Sequence, residues 1–134
     1  MHPDVSVERI ERDGILAFRG RVLGGSATGS RAFSKDLATT TRHWAAVADG
    51  VIVGCASVMQ LRGYALRGMA VAAEHRRQGI GTWMLRAVCE EVDAPMWCNA
   101  RIQAVPFYLH RGWVEVGPRF DLRDRGVHQR LAWR

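Results

Sequence analysis

The chain has 134 residues, of which 48% are hydrophobic and 24% are charged, and its formal net charge is +6. This length and apolar content argue against two ordinary domains and against wholesale disorder, so we expect a single domain over residues 1–134. The positive charge is scattered: 18 of the 19 basic residues are arginines, and only Arg76 and Arg77 are adjacent. This skew is typical of the coding bias of a GC-rich bacterial genome and leaves a nucleic-acid-binding protein as the minor alternative.

The first part of the chain predicts a strand and a helix. Val5 to Ile10 alternates as a strand does, and Asp13 is a candidate N-cap for a helix that runs to about Leu23. The glycine- and serine-rich stretch from Gly24 to Ser30 predicts a flexible loop near a site.

From Trp44 onward the pattern predicts a mixed sheet with helices on its faces. Trp44–Ala48 and Val51–Met59 form a hairpin, because the Asp49-Gly50 pair supplies the positive φ angles of a tight turn. Tyr64–Val71 is a further strand, interrupted at Gly68. Apolar residues at helical spacing from Ile80 to Val92 predict an amphipathic helix that Pro95 ends. The remaining elements are a strand at 96–100, a short helix at 104–110, and strands at 113–116 and 127–133. The order is therefore β-α-β-β-β-α-β-α-β-β.

Neither a membrane segment nor a cysteine-based site is expected. The chain opens without a basic segment followed by an apolar core, and its longest apolar stretch, Val51 to Ser57, is far below the ~20 residues that span a bilayer. We therefore expect a cytoplasmic protein. Cys55, Cys89 and Cys98 are odd in number and form no C-x-x-C pair, which argues against a disulfide framework or a zinc site. Their apolar surroundings predict small buried side chains rather than nucleophiles.

A glycine-rich turn is the most informative stretch. The residues Arg76-Arg77-Gln78-Gly79-Ile80-Gly81-Thr82 join a predicted strand to the amphipathic helix. The first N–H groups of a helix have no intrahelical partner and lie at the positive end of its dipole, so they suit a phosphate. Gly79 permits an unusual φ, Gly81 lets phosphate oxygens approach the backbone, and the two arginines add charge. The stretch matches neither a Walker loop nor the complete dinucleotide fingerprint, and an ordinary helix start with solvated arginines is the alternative.

These residues resemble the GCN5-related N-acetyltransferases (GNAT), which use acyl-coenzyme A. The family signature Q/R-x-x-G-x-G/A is matched by Arg76, Gly79 and Gly81. Residues 66–71 are similar to the family's fourth strand, 97–101 to its fifth, and 104–113 to its A-x-x-F-Y-x-x-x-G-F segment, with Trp113 in place of the phenylalanine. The resemblance covers most of the chain from Trp44 and implies an α/β GNAT fold. In that fold a central mixed sheet of six to seven strands is flanked by helices and splayed between strands 4 and 5.

The resemblance also implies acetyl-coenzyme A as cosubstrate, without a metal. The N–H groups from Gln78 to Thr82 would bind the pyrophosphate, and the fourth strand would pair with the pantetheine arm. A bulge at Gly68 would open a slot between the strands and free an N–H near Met69 for the thioester oxygen. The implied cofactor-binding residues are Met69, Ala70, Val71, Arg76, Arg77, Gln78, Gly79, Ile80, Gly81, Thr82, Asn99 and Phe107.

Tyr108 matches the tyrosine that the family places beside the sulfur. A phenol has a pKa of about 10 and a thiol about 8.5, so full proton transfer to the thiolate is uphill by about 2 kcal/mol. We therefore expect Tyr108 to donate a strong hydrogen bond to the leaving thiolate, with a core tyrosine as the alternative. Asn99 is a second catalytic candidate, through the pantetheine arm or an ordered water, or it simply caps the sheet.

The base and the acceptor are less defined by the sequence. Glu115, Asp121 and His128 are candidate bases through water, although a structural role is favoured for each. Three arginines are candidates to hold an acidic acceptor, with solvated surface side chains as the favoured alternative: Arg31, Arg42 and Arg67.

The expected function is acetyl transfer to a primary amine of a small molecule or peptide, by direct attack in a ternary complex. A catalytically inactive coenzyme A-binding module and a small basic nucleic-acid binder are the alternatives. The resemblance also allows a homodimer.

Overall fold

The computed structural model describes residues 4–23, 40–122 and 125–134. The predicted loop at residues 24–30 lies outside them. The strands are β1 (Val5–Arg9), β2 (Arg42–Ala48), β3 (Val51–Gln60), β4 (Tyr64–Val71), β5 (Met96–Arg101), β6 (Val114–Leu122) and β7 (Gly126–Trp133). The helices are α1 (Arg12–Leu23), α2 (Ile80–Val92) and α3 (Val105–Leu109), with short 3-10 turns at Ala73–His75 and Ile102–Ala104. Among the helices so described, none is long and apolar enough to cross a membrane.

The strands form one mixed sheet in the order β1-β2-β3-β4-β5-β7-β6. Among the strands described, only β4 and β5 run parallel, and every other neighbouring pair is antiparallel. The predicted hairpin between β2 and β3 is confirmed, with φ angles of 51° at Asp49 and 77° at Gly50. The predicted order of elements is confirmed as well.

Separate clusters of buried side chains cover the two faces of the sheet. Ile15 and Phe18 of α1 pack against Ala45 and Cys55 on one face. On the other face α2 packs through apolar positions such as Met84, against side chains that include Trp44, Ala56, Leu66, Met96 and Leu131. Alternate residues of a strand point to opposite faces, so neighbours such as Trp44 and Ala45 belong to different clusters. The central part of the sheet is therefore buried between α1 and α2, whereas β6 at its edge is exposed.

Several predicted boundaries differ from the structure by one or two residues, and two differences change how a residue or a strand is interpreted. Helix α1 begins at Arg12, so Asp13 lies in its first turn rather than at its N-cap, where it accepts a hydrogen bond from Arg12 Nη2 at 2.9 Å. Strand β6 continues to Leu122 instead of ending at Val116. The pairing with β7 is irregular between Val116 and Phe120 and then resumes. The prediction ended the strand early because a Gly-Pro pair, here Gly117-Pro118, is typical of a turn.

The sheet opens between its two parallel strands. Strands β4 and β5 are paired only at Tyr64–Met96 and Ala65–Trp97. On the other side of β4, Cys55 of β3 pairs with Ala70 and Ser57 pairs with Arg67, so β4 carries an extra residue there. Gly68 lies in this bulge with a φ of 63°, a left-handed conformation that costs a non-glycine residue about 1–2 kcal/mol. The predicted bulge and splay are therefore present.

Candidate functional site

Helix α2 begins after a glycine and without a capping side chain in the described part of the chain. Its N-cap Gly79 has φ 79° and ψ 5°, and no side chain caps it among the residues described. The first intrahelical bond runs from the N–H of Trp83 to the Gly79 carbonyl at 3.0 Å. The N–H groups that precede Trp83 in the helix therefore point out of its positive end. Arg76 lies beside this end, with Nε donating to the Val71 carbonyl at 3.1 Å.

The start of α2 closely approaches α3 at Gly81. A Cβ at Gly81 would lie 3.4 Å from two ring carbons of Phe107 and 3.7 Å from Val71 Cγ2. Arg111 fastens the two helices, because Nε donates to Thr82 Oγ1 at 2.9 Å and Nη1 donates to the Phe107 carbonyl at 2.6 Å. Its guanidinium also lies 3.9 Å from the Phe107 ring centroid. Sequence reasoning missed this clamp, for which the only signal is an arginine just before Gly112 of the family segment.

Two cavities flank the opening between β4 and β5. The α2 cavity, of about 590 Å³, lies beside the start of α2 and is lined by the end of β4 together with Arg76, Gly81 and Phe107. The β5 cavity, of about 430 Å³, is lined by β5 side chains that include Trp97 and Asn99. Five residues line both cavities: Met69, Arg101, Ala104, Tyr108 and Arg125. The two cavities therefore meet at the bulge of β4 and at Tyr108.

Tyr108 is buried at this junction, with 8% of its surface exposed. Its hydroxyl donates to Met69 Sδ at 3.8 Å, a weak acceptor. Its ring makes edge contacts with Phe107 and Trp113, with centroids 5.2 and 5.3 Å away. Burial raises the pKa of the Tyr108 phenol well above its usual value, and the thiols of Cys98 and Cys89 act in the same direction. Tyr108 is therefore a neutral hydrogen-bond donor throughout the ordinary pH range.

The predicted cofactor residues fall into three groups. Met69, Ala70, Val71, Arg76, Gly81 and Phe107 line the α2 cavity. Arg77, Gln78, Gly79, Ile80 and Thr82 belong to the turn and first helical residues beside it. Asn99 lines only the β5 cavity, where its Oδ1 accepts a hydrogen bond from Arg130 Nε at 3.1 Å. The structure therefore brings the first two groups together at the α2 cavity and places Asn99 in the β5 cavity, which Met69 also lines.

Of the three candidate bases, His128 lines the β5 cavity, whereas Glu115 and Asp121 are exposed on β6 and line neither cavity. His128 is 5% exposed, and its Nδ1 lies 2.9 Å from the Gly126 carbonyl oxygen. A carbonyl only accepts hydrogen bonds, so this contact assigns the proton to Nδ1 and leaves the lone pair of the neutral ring on Nε2. Its ring is stacked on Phe120 with centroids 6.0 Å apart.

The candidate arginines separate in the same way. Arg67 lines the β5 cavity. The Arg42 guanidinium lies 6.0 Å from the Trp44 ring centroid, and Arg42 lines neither cavity. Arg31 lies outside the described residues. Sequence reasoning missed Arg62, Arg101 and Arg125, which also line the β5 cavity. They come from separate segments of the chain, so no local signal connects them.

The cysteines are buried, as predicted. Burial raises the pKa of Cys55 and of Cys98 to about 12, and that of Cys89 to about 11. Such thiols supply little thiolate near neutral pH. Within the described part of the chain, no group of three His, Cys, Asp or Glu side chains could hold a metal ion.

Comparison with known proteins decides the family. The profile of the "Acetyltransferase (GNAT) domain" matches residues 6–127. The chain belongs to the GNAT family. It is 29% identical over 108 residues to an uncharacterized N-acetyltransferase, YitI, of Bacillus subtilis (strain 168), a match that covers 72% of either chain.

Solved GNAT structures have the same fold. The structure of Escherichia coli ElaA superposes with a TM-score of 0.81 at 15% identity, over 97% of this chain and 99% of that one. A GNAT family acetyltransferase from Elizabethkingia anophelis with acetyl-CoA bound gives a TM-score of 0.73 at 11% identity, over 98% and 99% of the two chains. The predicted fold class is thus confirmed, and the GNAT chain is an acyl-CoA-dependent N-acetyltransferase.

Proposed function

We propose that this GNAT protein transfers the acetyl group of acetyl-coenzyme A to a primary amine by direct attack in a ternary complex. The observation that carries the proposal is the meeting of two cavities at Met69 and Tyr108. One cavity lies beside the anion-binding end of a helix and the other does not, so donor and acceptor enter from different sides. The α2 cavity is the donor side and the β5 cavity the acceptor side.

The donor side fits coenzyme A in two respects. The uncapped start of α2, with Arg76 and Arg77 next to it, offers N–H groups and positive charge to a diphosphate. Beyond Ala65 the edge of β4 has no pairing with β5, so a pantetheine arm can hydrogen-bond to this edge as an added strand does. The bulge at Gly68 breaks the regular ladder beside Met69, whose N–H is the proposed donor to the thioester oxygen.

The reaction needs no covalent enzyme intermediate. The neutral amine forms a bond to the thioester carbon, and the carbon–sulfur bond breaks as the tetrahedral intermediate collapses. Tyr108 donates a hydrogen bond to the departing thiolate, and the surplus amine proton passes to Nε2 of His128, directly or through one water. We choose His128 over the two carboxylates because it lines the acceptor side. The contact of its Nδ1 with the Gly126 carbonyl also leaves the lone pair of Nε2 available to accept the proton.

A thiol-release assay tests the proposal. Purified protein is mixed with acetyl-coenzyme A and with each member of a panel of small primary amines and peptides. The concentration of free coenzyme A thiol is then measured over time. We expect amine-dependent release above the rate measured without amine. If coenzyme A raises the melting temperature and no amine releases thiol, the chain is a coenzyme A-binding module and the proposed transfer is wrong.

A further inference from the structure

The β5 cavity is lined by positive charge from four separate segments. Arg62 lies in the β3–β4 turn, Arg67 in β4, Arg101 at the end of β5, and Arg125 just before β7. No aspartate or glutamate lines the cavity in the part of the chain that the structure describes. The remaining lining groups are apolar or neutral, apart from the titratable His128. Among the described residues, the cavity wall is therefore cationic on several sides.

We propose that the acceptor amine carries a second, anionic group, a carboxylate or a phosphate, which the arginines of the β5 cavity bind. This inference rests on the proposed function and specifies its substrate class. The planar guanidinium group presents a fork of N–H donors that binds two oxygens of a carboxylate or a phosphate by charge-assisted hydrogen bonds. A cavity of about 430 Å³ has the size of a small-molecule site, so we infer a small amine rather than a polymer.

Two of the arginines line the β5 cavity without lining the α2 cavity. Arg101 and Arg125 line both cavities and so lie near the negative groups of the donor as well, whereas Arg62 and Arg67 line only the β5 cavity. The turn that carries Arg62 is fastened to the cavity wall, because Trp97 Nε1 donates to the Leu61 and Arg62 carbonyls at 3.0 and 3.2 Å. The Arg62 guanidinium lies 5.8 Å from the same indole ring. Arg62 and Arg67 are therefore the specificity-determining residues of the proposal.

The same charge favours the chemistry. Only the neutral amine attacks a thioester, and nearby cations favour the neutral over the ammonium form of an amine. An anionic group draws the substrate into the cavity, while the arginines promote loss of its ammonium proton. A diamine or polyamine lacks the attractive group and brings a second repelled charge.

Four short amines of similar length separate these classes. β-Alanine carries a carboxylate, O-phosphoethanolamine a phosphate, 3-amino-1-propanol a neutral hydroxyl, and 1,3-diaminopropane a second ammonium. We expect kcat/KM for at least one anionic amine to exceed that for the neutral amine by roughly tenfold to a hundredfold, the range of a charge-assisted contact. The first two arms distinguish carboxylate from phosphate. Equal or better use of the neutral or cationic amine overturns the inference and leaves the proposed acetyl transfer intact.

Two variants and a control locate the effect. Arg62→Asn keeps a residue that tolerates the φ of 48° found there, and Arg67→Gln keeps a polar side chain in the strand. Arg119→Gln removes an exposed arginine on β6 that lines neither cavity. We expect each cavity variant to raise KM for the anionic amine by roughly tenfold, while kcat and the KM for the neutral amine change little. The control variant should match the wild type in all of these constants. An anion preference that survives in the double variant contradicts the proposal.

A binding measurement keeps the inference separate from turnover. In the presence of coenzyme A, β-alanine or O-phosphoethanolamine should raise the melting temperature of the wild type and of Arg119→Gln, but not of the double variant. If these melting-temperature shifts are observed but the thiol-release assay detects no release, the anion site is supported and the proposed acetyl transfer is refuted. Equal shifts in all three proteins, or no shift in any, refute the anion site.

Discussion

At the scale of single residues, Tyr108 combines two properties that a core tyrosine does not need together. It is buried among Phe107, Trp113 and Met69, yet it lines both cavities at their junction. Its raised pKa keeps the phenol protonated, so it acts as a donor and not as a base. In the proposed reaction, this donor is placed to hydrogen-bond the sulfur on which negative charge develops.

Replacing Tyr108 by phenylalanine tests this role. The ring contacts with Phe107 and Trp113 remain, so we expect an unchanged melting temperature and an unchanged Kd for coenzyme A. We expect kcat to fall by roughly tenfold to a hundredfold because the leaving thiolate loses its donor. Steady-state kinetics and calorimetry measure the two quantities. An unchanged kcat removes Tyr108 from the chemistry.

His128→Gln tests the proposed base. Glutamine retains a donor for the Gly126 carbonyl but has no basic nitrogen, so we expect kcat/KM to fall by roughly a hundredfold. The defect should shrink for acceptor amines of low pKa, which give up their proton more readily. Comparing a series of amines separates a base from a structural residue, since a merely structural defect would be equal for all of them. Glu115→Gln, on exposed β6, serves as the matched control.

At the scale of elements, the start of α2 lies in close contact with α3 at Gly81. The ring of Phe107 lies at van der Waals distance from the position of a Cβ there, and Arg111 holds the two helices in that relation. The sequence predicted α2 and β4 with their exact bounds, because their apolar periodicity and the glycine turn are local. The clamp by Arg111 joins residues 29 positions apart and was not predictable from either segment.

Gly81→Glu and Gly81→Ala form a matched pair for this element. The glutamate adds bulk against Phe107 and negative charge at the proposed diphosphate site. We expect its Kd for coenzyme A to rise by at least about a hundredfold, since placing the carboxylate next to the negative diphosphate costs several kcal/mol. The alanine only makes an ordinary contact with the ring, so its Kd should rise much less. Retained affinity in Gly81→Glu would refute the diphosphate site.

At the scale of the whole molecule, burial of thiols links stability to pH. The pKa is raised to about 12 for Cys55 and Cys98 and to about 11 for Cys89, so the folded protein keeps protons that the unfolded chain loses from about pH 9. These groups contribute full stability below that pH, and the contribution is lost as the pH rises toward the folded values. Tyr108 acts in the same direction at still higher pH.

We therefore expect the free energy of unfolding to fall between about pH 9 and pH 11. Each thiol that stays protonated in the fold contributes a slope of about 1.4 kcal/mol per pH unit once its unfolded form is ionised. Urea denaturation at a series of pH values measures the slope. Cys98→Ala should make this slope shallower by the contribution of one thiol. A free energy of unfolding that stays constant up to pH 11 would contradict this account.

The sequence by itself determined the elements whose information is local. The Asp-Gly turn, the β4 strand, the amphipathic α2 helix and the glycine-rich turn before it follow from patterns within about a dozen residues. The glycine-rich turn and β4, together with residues 97–101 and 104–113, were sufficient for the resemblance to the GNAT family. Backbone preferences and side-chain periodicity act between near neighbours, which is why these features were predictable.

Only the tertiary structure decided what lies across the gap in the sheet. The continuation of β6 past Gly117 depends on pairing with β7, and the choice of His128 over Glu115 depends on which strand face borders a cavity. The four arginines of the β5 cavity lie up to 63 positions apart in the chain, from residue 62 to residue 125. Packing between distant segments sets such neighbourhoods, and no local preference of the chain encodes it.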